Sequence, residues 1–352
     1  MTQTDHIPRA PDEAAVLALL SDAGGISPFQ VERIPHGQGT VNYRVDTRTG
    51  RFFVKSYFPG ADLVAENAAI ALSERARQAG IATARPVCFG TGRFVVQNED
   101  TAISVWYWVD GQMRTQGLGP SALHDIGNVL GQLHKALHGQ ANSRACADKT
   151  DRFLATRPAT IHDQIDRIEA AVQSRIGKIG GTDFDHVAVR ALAERRAQLE
   201  RLPGLMQSLP ALSSQLVHGD YTTLNLLFEQ DRVCAVLDFR PPEPFLVSWE
   251  LGRIAFNPDL IAAGGDWLTP AKCVIKGYLD ADVGLAREDI LFCGRVALIQ
   301  LLKSLYGIKQ HYIAPAPLQD DLDRFWADRH LSVNRMLAQL DEIDAMLISV
   351  TR

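Results

Sequence analysis

Residues 216–228 read Leu-Val-His-Gly-Asp-Tyr-Thr-Thr-Leu-Asn-Leu-Leu-Phe, and this stretch decides the fold. Its polar residues Asp220 and Asn225 fall on a loop, which a turn at 229–232 and an apolar strand at 233–237 follow. That pattern predicts a hairpin that returns Asp238 to a position beside them. Carboxylate and amide oxygens are the ligands that Mg²⁺ prefers, so the three residues suit a magnesium site. A carboxylate next to such an ion can accept or orient the proton of an attacking hydroxyl.

The spacing His218-x-Asp220-x4-Asn225, followed after the hairpin by Asp238-Phe239, resembles the catalytic and metal-binding loops of the aminoglycoside phosphotransferase and choline kinase family. Members of that family are relatives of protein kinases. The resemblance implies an α+β, bilobal protein-kinase-like fold, with a small antiparallel-sheet N-lobe and a larger, mainly helical C-lobe. It makes Asp220 the catalytic residue and Asn225 and Asp238 the ligands of Mg²⁺. His218 is expected to hold the loop by packing and hydrogen bonding.

The activity that the resemblance implies is transfer of the γ-phosphoryl group of ATP or GTP to a hydroxyl of a small metabolite or antibiotic. A homoserine- or choline-kinase-like metabolic enzyme is the alternative within this class. Two other classes remain open. One is a pseudokinase that binds nucleotide without turnover, although the chain keeps all the expected catalytic residues. The other is a metal hydrolase with His218 and Asp220 as ligands, which would need further ligands clustered near them.

The apolar pattern predicts a sheet-rich region followed by helices. A helix should start at 11–13 and end at 24–25, and another should span 65–79. Strands are expected at 29–34, 43–46, 52–58, 86–89, 93–97 and 103–109, and two amphipathic helices should flank a break at 177–182. We therefore divide the chain into 1–108, an N-terminal helix with a nucleotide-binding sheet lobe, and 109–352, a helical lobe with the catalytic loop and substrate site.

The resemblance also assigns nucleotide contacts to the sheet region. Residues 36–42 lie where a phosphate-covering loop belongs, and glycines there would let backbone amides approach phosphate oxygens. Lys55 is the expected contact to the α- and β-phosphates, and Glu66 is preferred over Glu74 as its ion-pair partner. Taken singly, each signal also fits a plain turn, a surface charge or a core aromatic. The nucleotide-binding candidates are Gly37, Gly39, Thr40, Asn42, Lys55, Glu66, Trp106 and Trp108.

The identity of the acceptor is left open by the sequence. Aminoglycosides are polycations and require acids in the substrate cleft, which the acidic run 320–323 would supply unless it is a solvated helix face. Arg240 either binds an anionic substrate or forms a salt bridge within its lobe. His134 and Glu250 are expected to be structural. The candidate substrate contacts are Tyr221, Arg240, Glu243, Arg253, Tyr306 and His311.

Composition limits the other possibilities. The chain is 46% hydrophobic and 22% charged with a formal net charge of -5, which is typical of a globular protein and disfavours a nucleic-acid partner. Five scattered cysteines lack the spacing of a zinc or redox motif and favour a reducing compartment, the cytoplasm. We expect neither a signal peptide nor a membrane partner. The protein is expected to be a monomer or homodimer that acts on a small molecule.

Overall fold

The computed structural model describes residues 12–34, 39–90, 92–99, 101–139, 145–314 and 319–352, with 145–148 and 179 described by their backbone alone. The strands are β1 (Pro28–Ile34), β2 (Thr40–Thr47), β3 (Gly50–Tyr57), β4 (Val95–Gln97), β5 (Ala102–Tyr107), β6 (Gln112–Met113), β7 (Ser214–Leu216), β8 (Leu226–Glu229), β9 (Arg232–Val236) and β10 (Pro244–Leu246). The α-helices are α1 (Glu13–Gly24), α2 (Leu63–Gln78), α3 (Pro120–Leu137), α4 (Ala145–Ala155), α5 (Pro158–Ile179), α6 (Asp183–Leu199), α7 (Leu202–Gln207), α8 (Val247–Ala255), α9 (Pro258–Ala263), α10 (Leu268–Asp280), α11 (Arg287–Leu291), α12 (Cys293–Lys303), α13 (Ile308–Tyr312), α14 (Gln319–Ala338) and α15 (Leu340–Val350). A short 3₁₀ helix spans Thr223–Asn225.

The chain forms two compact units. The first comprises Met1–Gly117 and His218–Pro242, and the second comprises Leu118–Val217 and Glu243–Arg352. The segment predicted to be catalytic thus belongs to the unit that contains the sheet, whereas the predicted division of the sequence at 108 groups it with the helices. An antiparallel sheet precedes a mainly helical part, which confirms the predicted α+β class.

The main sheet of the first unit has the strand order β1-β2-β3-β5-β4, with antiparallel neighbours throughout. One of its faces packs on α1. Asp12 caps the start of α1 with a side chain that accepts a hydrogen bond from Ala14 N. Gly25 caps its end in the left-handed conformation, close to the helix end that the sequence predicts. The buried core beneath it consists of Val16, Leu19, Leu20, Ile26, Val41, Tyr43, Val45, Phe52, Val54, Phe89, Ile103 and Val105.

The opposite face of this sheet carries polar residues. Successive side chains of a strand point to opposite faces, so Lys55 lies on the face away from Val54 and α1. The register places Asn42 and Ser104 directly beside Lys55 on the two neighbouring strands. The period-two pattern of β3 therefore separates a packed face from a face available for chemistry.

Residues 86–89 are predicted as a strand, and this prediction is wrong. They form isolated bridges, Pro86 with Trp106 and Phe89 with Arg93, although Val87 N donates to Val105 O at 2.8 Å. Proline has no backbone N–H to donate, so a regular ladder cannot run through position 86.

A small second sheet joins the hairpin that precedes Asp238 to the first unit. Strands β8 and β9 form the predicted hairpin, and β6 adds to it through the pairs Gln112 with Phe228 and Met113 with Leu227. Val236 N also donates to Ala82 O at 2.8 Å, just after α2. These backbone bonds explain why 218–242 packs with the sheet unit.

The second unit is held by closely packed helices. A Cβ on Gly127 of α3 would lie 1.9 Å from Val274 O, and one on Gly277 of α10 would lie 1.8 Å from His124 O. Only glycine permits these two helices to approach so closely. No helix in the described ranges is both long and apolar enough to span a membrane.

A buried polar network lies in the second unit. His134 Nε2 lies 3.0 Å from Glu250 Oε2, and His134 Nδ1 lies 2.8 Å from the Tyr278 hydroxyl. The His134 and Glu250 side chains are fully buried. Buried polar groups need hydrogen-bond partners, and these contacts fit the scaffold role predicted for both residues.

Candidate active site

His218 holds the loop that carries Asp220 in shape. Its Nδ1 accepts a hydrogen bond from Asp220 N at 3.1 Å, so the ring proton sits on Nε2, which donates to Leu237 O at 2.8 Å. The ring is fully buried and packs against Phe239 and, edge-on, against Tyr221. Because both ring nitrogens bond to the backbone, His218 acts as a structural residue, and neither nitrogen serves as the metal ligand that a hydrolase would need.

Asn225 connects the loop to the strand that leads to Asp238. Its Nδ2 donates to Asp220 O at 2.8 Å, and its backbone oxygen accepts from Leu237 N at 2.8 Å. Since Nδ2 is the donor of this amide, Oδ1 is the atom suited to bind a cation. The hairpin thus brings Asn225 beside Leu237, the residue before Asp238, which lies twelve positions later in the sequence.

Asp238 pairs with Lys55 and has an unusual backbone. Its φ is 60°, in the left-handed region that residues other than glycine seldom occupy. Lys55 Nζ forms an ion pair with Asp238 Oδ1. Burial alone would raise the pKa of Asp238, but Lys55, with help from Arg240, holds that pKa below its usual value. The carboxylate is therefore kept ionised.

Asp220 is paired with Arg240. Arg240 Nη2 donates to Asp220 Oδ2 at 3.1 Å, and Arg240 N donates to His218 O at 2.9 Å. Between them Gly219 has φ 84°, and a Cβ there would lie 2.8 Å from the Arg240 Cβ. Of the two interpretations of Arg240 made from the sequence, the contacts support a salt bridge within its own unit.

The ion pair predicted between Lys55 and Glu66 is not formed, although both residues are described. Lys55 pairs instead with Asp238, and its Nζ lies 5.7 Å from the Trp106 ring centroid. Glu66 lies near the Tyr57 hydroxyl: burial raises the pKa of Tyr57, and the Glu66 carboxylate raises it further. Glu66 therefore belongs to the surroundings of Tyr57, and Lys55 reaches the hairpin carboxylate.

The other predicted nucleotide contacts differ in what surrounds them. Gly37 lies outside the described residues. Gly39 has φ 83°, and Thr40 Oγ1 donates to Asn42 Oδ1 at 3.0 Å, next to Lys55 in the register. Trp108 has the guanidinium groups of Arg44 and Arg51 over its ring, at 5.6 and 5.7 Å from the centroid. The Trp106 ring therefore lies beside Lys55, whereas the Trp108 ring is covered by two arginine side chains.

The donor set suits a hard cation. Asp238 offers an ionised carboxylate and Asn225 an amide oxygen, both of the kind that Mg²⁺ takes while keeping several waters. No group of three or more His, Cys, Asp or Glu side chains within the described ranges is arranged to hold a metal ion. The residues thus fit a magnesium ion bound by one or two protein oxygens together with phosphate.

The structure places the substrate candidates in different surroundings. Tyr221 is fully buried, so it supports the loop from beneath rather than facing a substrate. His311 accepts from Arg175 Nη1 at 3.1 Å and donates to Asp323 Oδ2 at 2.7 Å, so its ring is held within the second unit. Glu243 pairs with two cations, Arg253 lies over Trp249 and Tyr306 packs edge-on against Phe325.

Two features of the site escape inspection of the sequence. The Lys55–Asp238 pair joins residues 183 positions apart, and nothing local in the sequence indicates it. The requirement for glycine at position 219 comes from the side chain of Arg240. The signal that could have revealed it is the bulky residue directly after Asp238-Phe239.

Comparisons with known proteins show the family and the fold of this chain. A model of the phosphotransferase enzyme family matches residues 30–244. Among solved structures, a spectinomycin phosphotransferase in complex with ADP and spectinomycin is 14% identical, covers 95% of this chain and 97% of its own, and has a TM-score of 0.59. An aminoglycoside phosphotransferase from Alicyclobacillus acidocaldarius is 17% identical over 97% of this chain and 96% of its own, with a TM-score of 0.55. A microcompartment-associated aminopropanol kinase is 14% identical over 96% of this chain and 100% of its own, with a TM-score of 0.58.

No curated protein sequence matches this one. At these identities the solved structures establish the fold, which is the kinase-like fold of these phosphotransferases and confirms the predicted fold. The family model extends over more than half of the chain and includes Lys55, Asp220, Asn225 and Asp238. The chain therefore belongs to the phosphotransferase enzyme family.

Proposed function

We propose that this protein is a small-molecule kinase that transfers the γ-phosphoryl group of ATP or GTP to a hydroxyl of its acceptor. The observation that carries the proposal is the connected set of contacts in the first unit. Asn225 bonds to Asp220, the backbone of Asn225 bonds to the residue before Asp238, and Asp238 pairs with Lys55. A catalytic carboxylate, an oxygen donor set and a phosphate-binding cation are thereby fixed relative to one another.

Asp220 is proposed to orient the acceptor hydroxyl and to receive its proton. The side chain is 17% exposed and its loop is fixed on both sides, by His218 and by Asn225. The hydrogen bond from Arg240 to Oδ2 holds the carboxylate itself in place, and a carboxylate so fixed can accept a hydroxyl proton. Positioning of this kind supplies most of the catalysis in phosphoryl transfer.

Asn225 Oδ1 and the Asp238 carboxylate are proposed to bind magnesium. When bound, Mg²⁺ neutralises charge on the phosphate oxygens of the nucleotide. The low pKa of Asp238 keeps that carboxylate ionised and ready to bind a cation at neutral pH. The amide of Asn225 adds a neutral oxygen and needs no deprotonation.

Lys55 is proposed to bind the α- and β-phosphates. It lies on the open face of the main sheet, beside Asn42 and Ser104, and is 19% exposed at its side chain. Its pairing with Asp238 holds the ammonium next to the proposed metal ligands. One ammonium group has three donor hydrogens, so Lys55 can donate to phosphate and to Asp238 at the same time.

The acceptor class has two candidates among the structural relatives. One is an antibiotic, since the relatives include a spectinomycin phosphotransferase. The other is a small amino alcohol, since they include an aminopropanol kinase and a Plasmodium vivax ethanolamine kinase. The direct test is a phosphoryl-transfer assay with Mg²⁺ and ATP or GTP on a panel of aminoglycosides, amino alcohols, homoserine, sugars and nucleosides. Transfer to a panel member that Asp220→Ala abolishes supports the proposal, whereas Mg²⁺-nucleotide binding without transfer to any member favours a pseudokinase.

A further inference from the structure

Lys55 has a further contact in the first unit besides its ion pair with Asp238. Its Nζ lies over the Trp106 ring, 5.7 Å from the centroid. The face of an aromatic ring carries partial negative charge and attracts a cation within about 6 Å, and the indole ring does so most strongly. The ammonium therefore has a charged partner and a neutral one, and all three residues belong to one compact unit.

The register of the main sheet explains this contact. Ser104 of β5 lies directly opposite Lys55 of β3, and Trp106, two residues further along, lies opposite Phe53. Alternate residues of a strand share a face, so Trp106 and Lys55 are diagonal neighbours on the same face of the sheet. Diagonal neighbours are ~7–8 Å apart, which is within reach of long and aromatic side chains. The backbone of the two strands thus places this ring within reach of this ammonium.

Neighbouring residues fix the Trp106 ring and its backbone. The ring packs against the Phe53 ring with 5.8 Å between centroids and 55° between planes. The backbone of Trp106 pairs with β3 and also forms an isolated bridge with Pro86. A lysine side chain is long and flexible, and ordering it costs conformational entropy. Contact with a fixed ring restricts the Lys55 ammonium before any ligand binds.

A neutral partner is important because the proposed role of Asp238 brings a second cation to the same place. A carboxylate that binds Mg²⁺ is shared between the metal ion and Lys55, and the two cations repel each other. The Trp106 ring attracts the ammonium but offers no oxygen to Mg²⁺, so it does not compete for the metal. Trp106 would therefore retain Lys55 beside Asp238 when that carboxylate is shared.

The position of the Trp106 ring also bears on which part of the nucleotide it serves. Aromatic rings stack readily on bases, so a contact to the base is the alternative. The ring lies instead beside Lys55, the proposed phosphate contact, and packs against Phe53 on the same face of the sheet. A ring held at the ammonium is in position to assist phosphate binding.

We propose that Trp106 is a positioning residue for Lys55, so that it supports recognition of the phosphates of the nucleotide and not of its base. The inference rests on the proposed kinase function, because it assigns a role within that nucleotide site. Loss of the ring should weaken the binding of ligands that carry phosphates and leave the binding of a nucleoside unaffected. The two residues should also act as one unit, so that the ring has no effect once Lys55 is removed.

The test compares ligands that contain phosphates, a base or both. The nucleoside, diphosphate and triphosphate of adenine and of guanine are titrated into the full-length protein by calorimetry, together with inorganic tripolyphosphate, each with Mg²⁺ and with EDTA. The variants are Trp106→Leu, Trp106→Phe, Lys55→Met and the double variant of Trp106→Leu with Lys55→Met. Tyr107→Leu is the matched control, since it removes the next aromatic residue of β5, which lies on the opposite face. Thermal unfolding checks the fold of each variant, and Trp106→Phe carries the comparison if Trp106→Leu does not fold.

Trp106→Leu should weaken binding of the diphosphate, the triphosphate and tripolyphosphate by about 3- to 30-fold, the range expected for a cation–π contact, and should leave nucleoside affinity within about twofold. Trp106→Phe should lie between wild type and Trp106→Leu, because a phenyl ring attracts a cation less strongly than an indole ring. In the Lys55→Met protein, Trp106→Leu should cause no further loss. Tyr107→Leu should leave all these affinities unchanged. A merely structural role of Trp106 would not give losses that depend on Lys55.

The outcomes distinguish this inference from the kinase function. Equal losses of nucleoside and triphosphate affinity in Trp106→Leu would overturn the inference, assign the ring to the base and leave the kinase function standing. Losses from Trp106→Leu and Lys55→Met that add in the double variant would also overturn it. Phosphate-selective losses that require Lys55, in a protein that transfers phosphate to no member of the acceptor panel, would support the role of Trp106 and contradict the kinase function.

Discussion

Arg240 donates a hydrogen bond to the carboxylate of Asp220, with Nη2 3.1 Å from Oδ2. The arginine is 60% exposed at its side chain, so the pair adds little to stability, on the order of 0–1 kcal/mol. Its importance lies in holding the Asp220 carboxylate in one orientation on its loop. The arginine thus acts as a positioning residue for the proposed catalytic carboxylate.

Replacing Arg240 should therefore slow the reaction without unfolding the protein. We expect Arg240→Met to lower kcat by about 10- to 100-fold with a small change in melting temperature, because a misplaced catalytic group costs rate rather than stability. Arg240→Lys should recover part of the loss, since it restores charge without the planar guanidinium. Steady-state kinetics and thermal unfolding of the same preparations measure both effects. An unchanged kcat in Arg240→Met would contradict the positioning role.

Gly219→Ala should disturb the same contact from the backbone side. The new Cβ would meet the Arg240 Cβ at 2.8 Å, and φ of 84° is strained for alanine. We expect a loss of about 1–3 kcal/mol in the free energy of unfolding together with reduced kcat. Denaturant unfolding and kinetics test this, with Gly204→Ala as a control because a Cβ there meets no atom within 4 Å. Equal behaviour of the two variants would argue against the strain.

Asp238→Asn removes the negative charge at the proposed metal site while it nearly keeps the shape of the side chain. Asparagine tolerates the left-handed conformation that Asp238 adopts at φ 60°, so the fold should be kept. Loss of the carboxylate should lower transfer by about 100-fold or more and raise the Mg²⁺ concentration needed for half-maximal rate. A magnesium titration of the rate, compared with wild type, measures the shift. The same magnesium dependence in both proteins would exclude Asp238 as a ligand.

Lys303 should give stability a distinctive pH dependence. Its pKa in the folded protein is about 8, below the usual lysine value of about 10.4. Between those values the unfolded chain binds more protons, so the wild type gains stability as pH rises through this window. We therefore measure the free energy of unfolding by denaturant at pH 7 and pH 9.5. The value for wild type relative to that for Lys303→Met should be higher at pH 9.5 than at pH 7. A difference between the two proteins that does not change with pH would mean that the Lys303 ammonium is not desolvated.

The sequence predicts best those parts of the fold whose structure depends on residues close together in the chain. The caps at Asp12 and Gly25 define α1 from a few residues, and the hairpin after Asn225 follows from local alternation and a turn. Asp220, Asn225 and Asp238 lie within 19 positions, which is why one short stretch predicts their meeting. The kinase-like resemblance adds the order of the remaining elements.

What the sequence does not predict depends on contacts between distant residues. The pairing of β6 with β8 moves 218–242 into the sheet unit, and it joins residues more than 110 positions apart. Lys55 pairs with Asp238 rather than Glu66 because the register of β3 and the turn after β9 bring those two charges together.

The central claim is that Asp220 is the catalytic carboxylate of a nucleotide-dependent phosphotransferase, and one comparison tests it most directly. Phosphoryl transfer from ATP or GTP with Mg²⁺ is measured for wild type and Asp220→Asn at saturating nucleotide, with nucleotide affinity determined in parallel. We predict that Asp220→Asn keeps nucleotide affinity within a few-fold and loses transfer by about 100- to 10,000-fold, the range expected for removal of a general base. Transfer by Asp220→Asn at the wild-type rate would contradict the account.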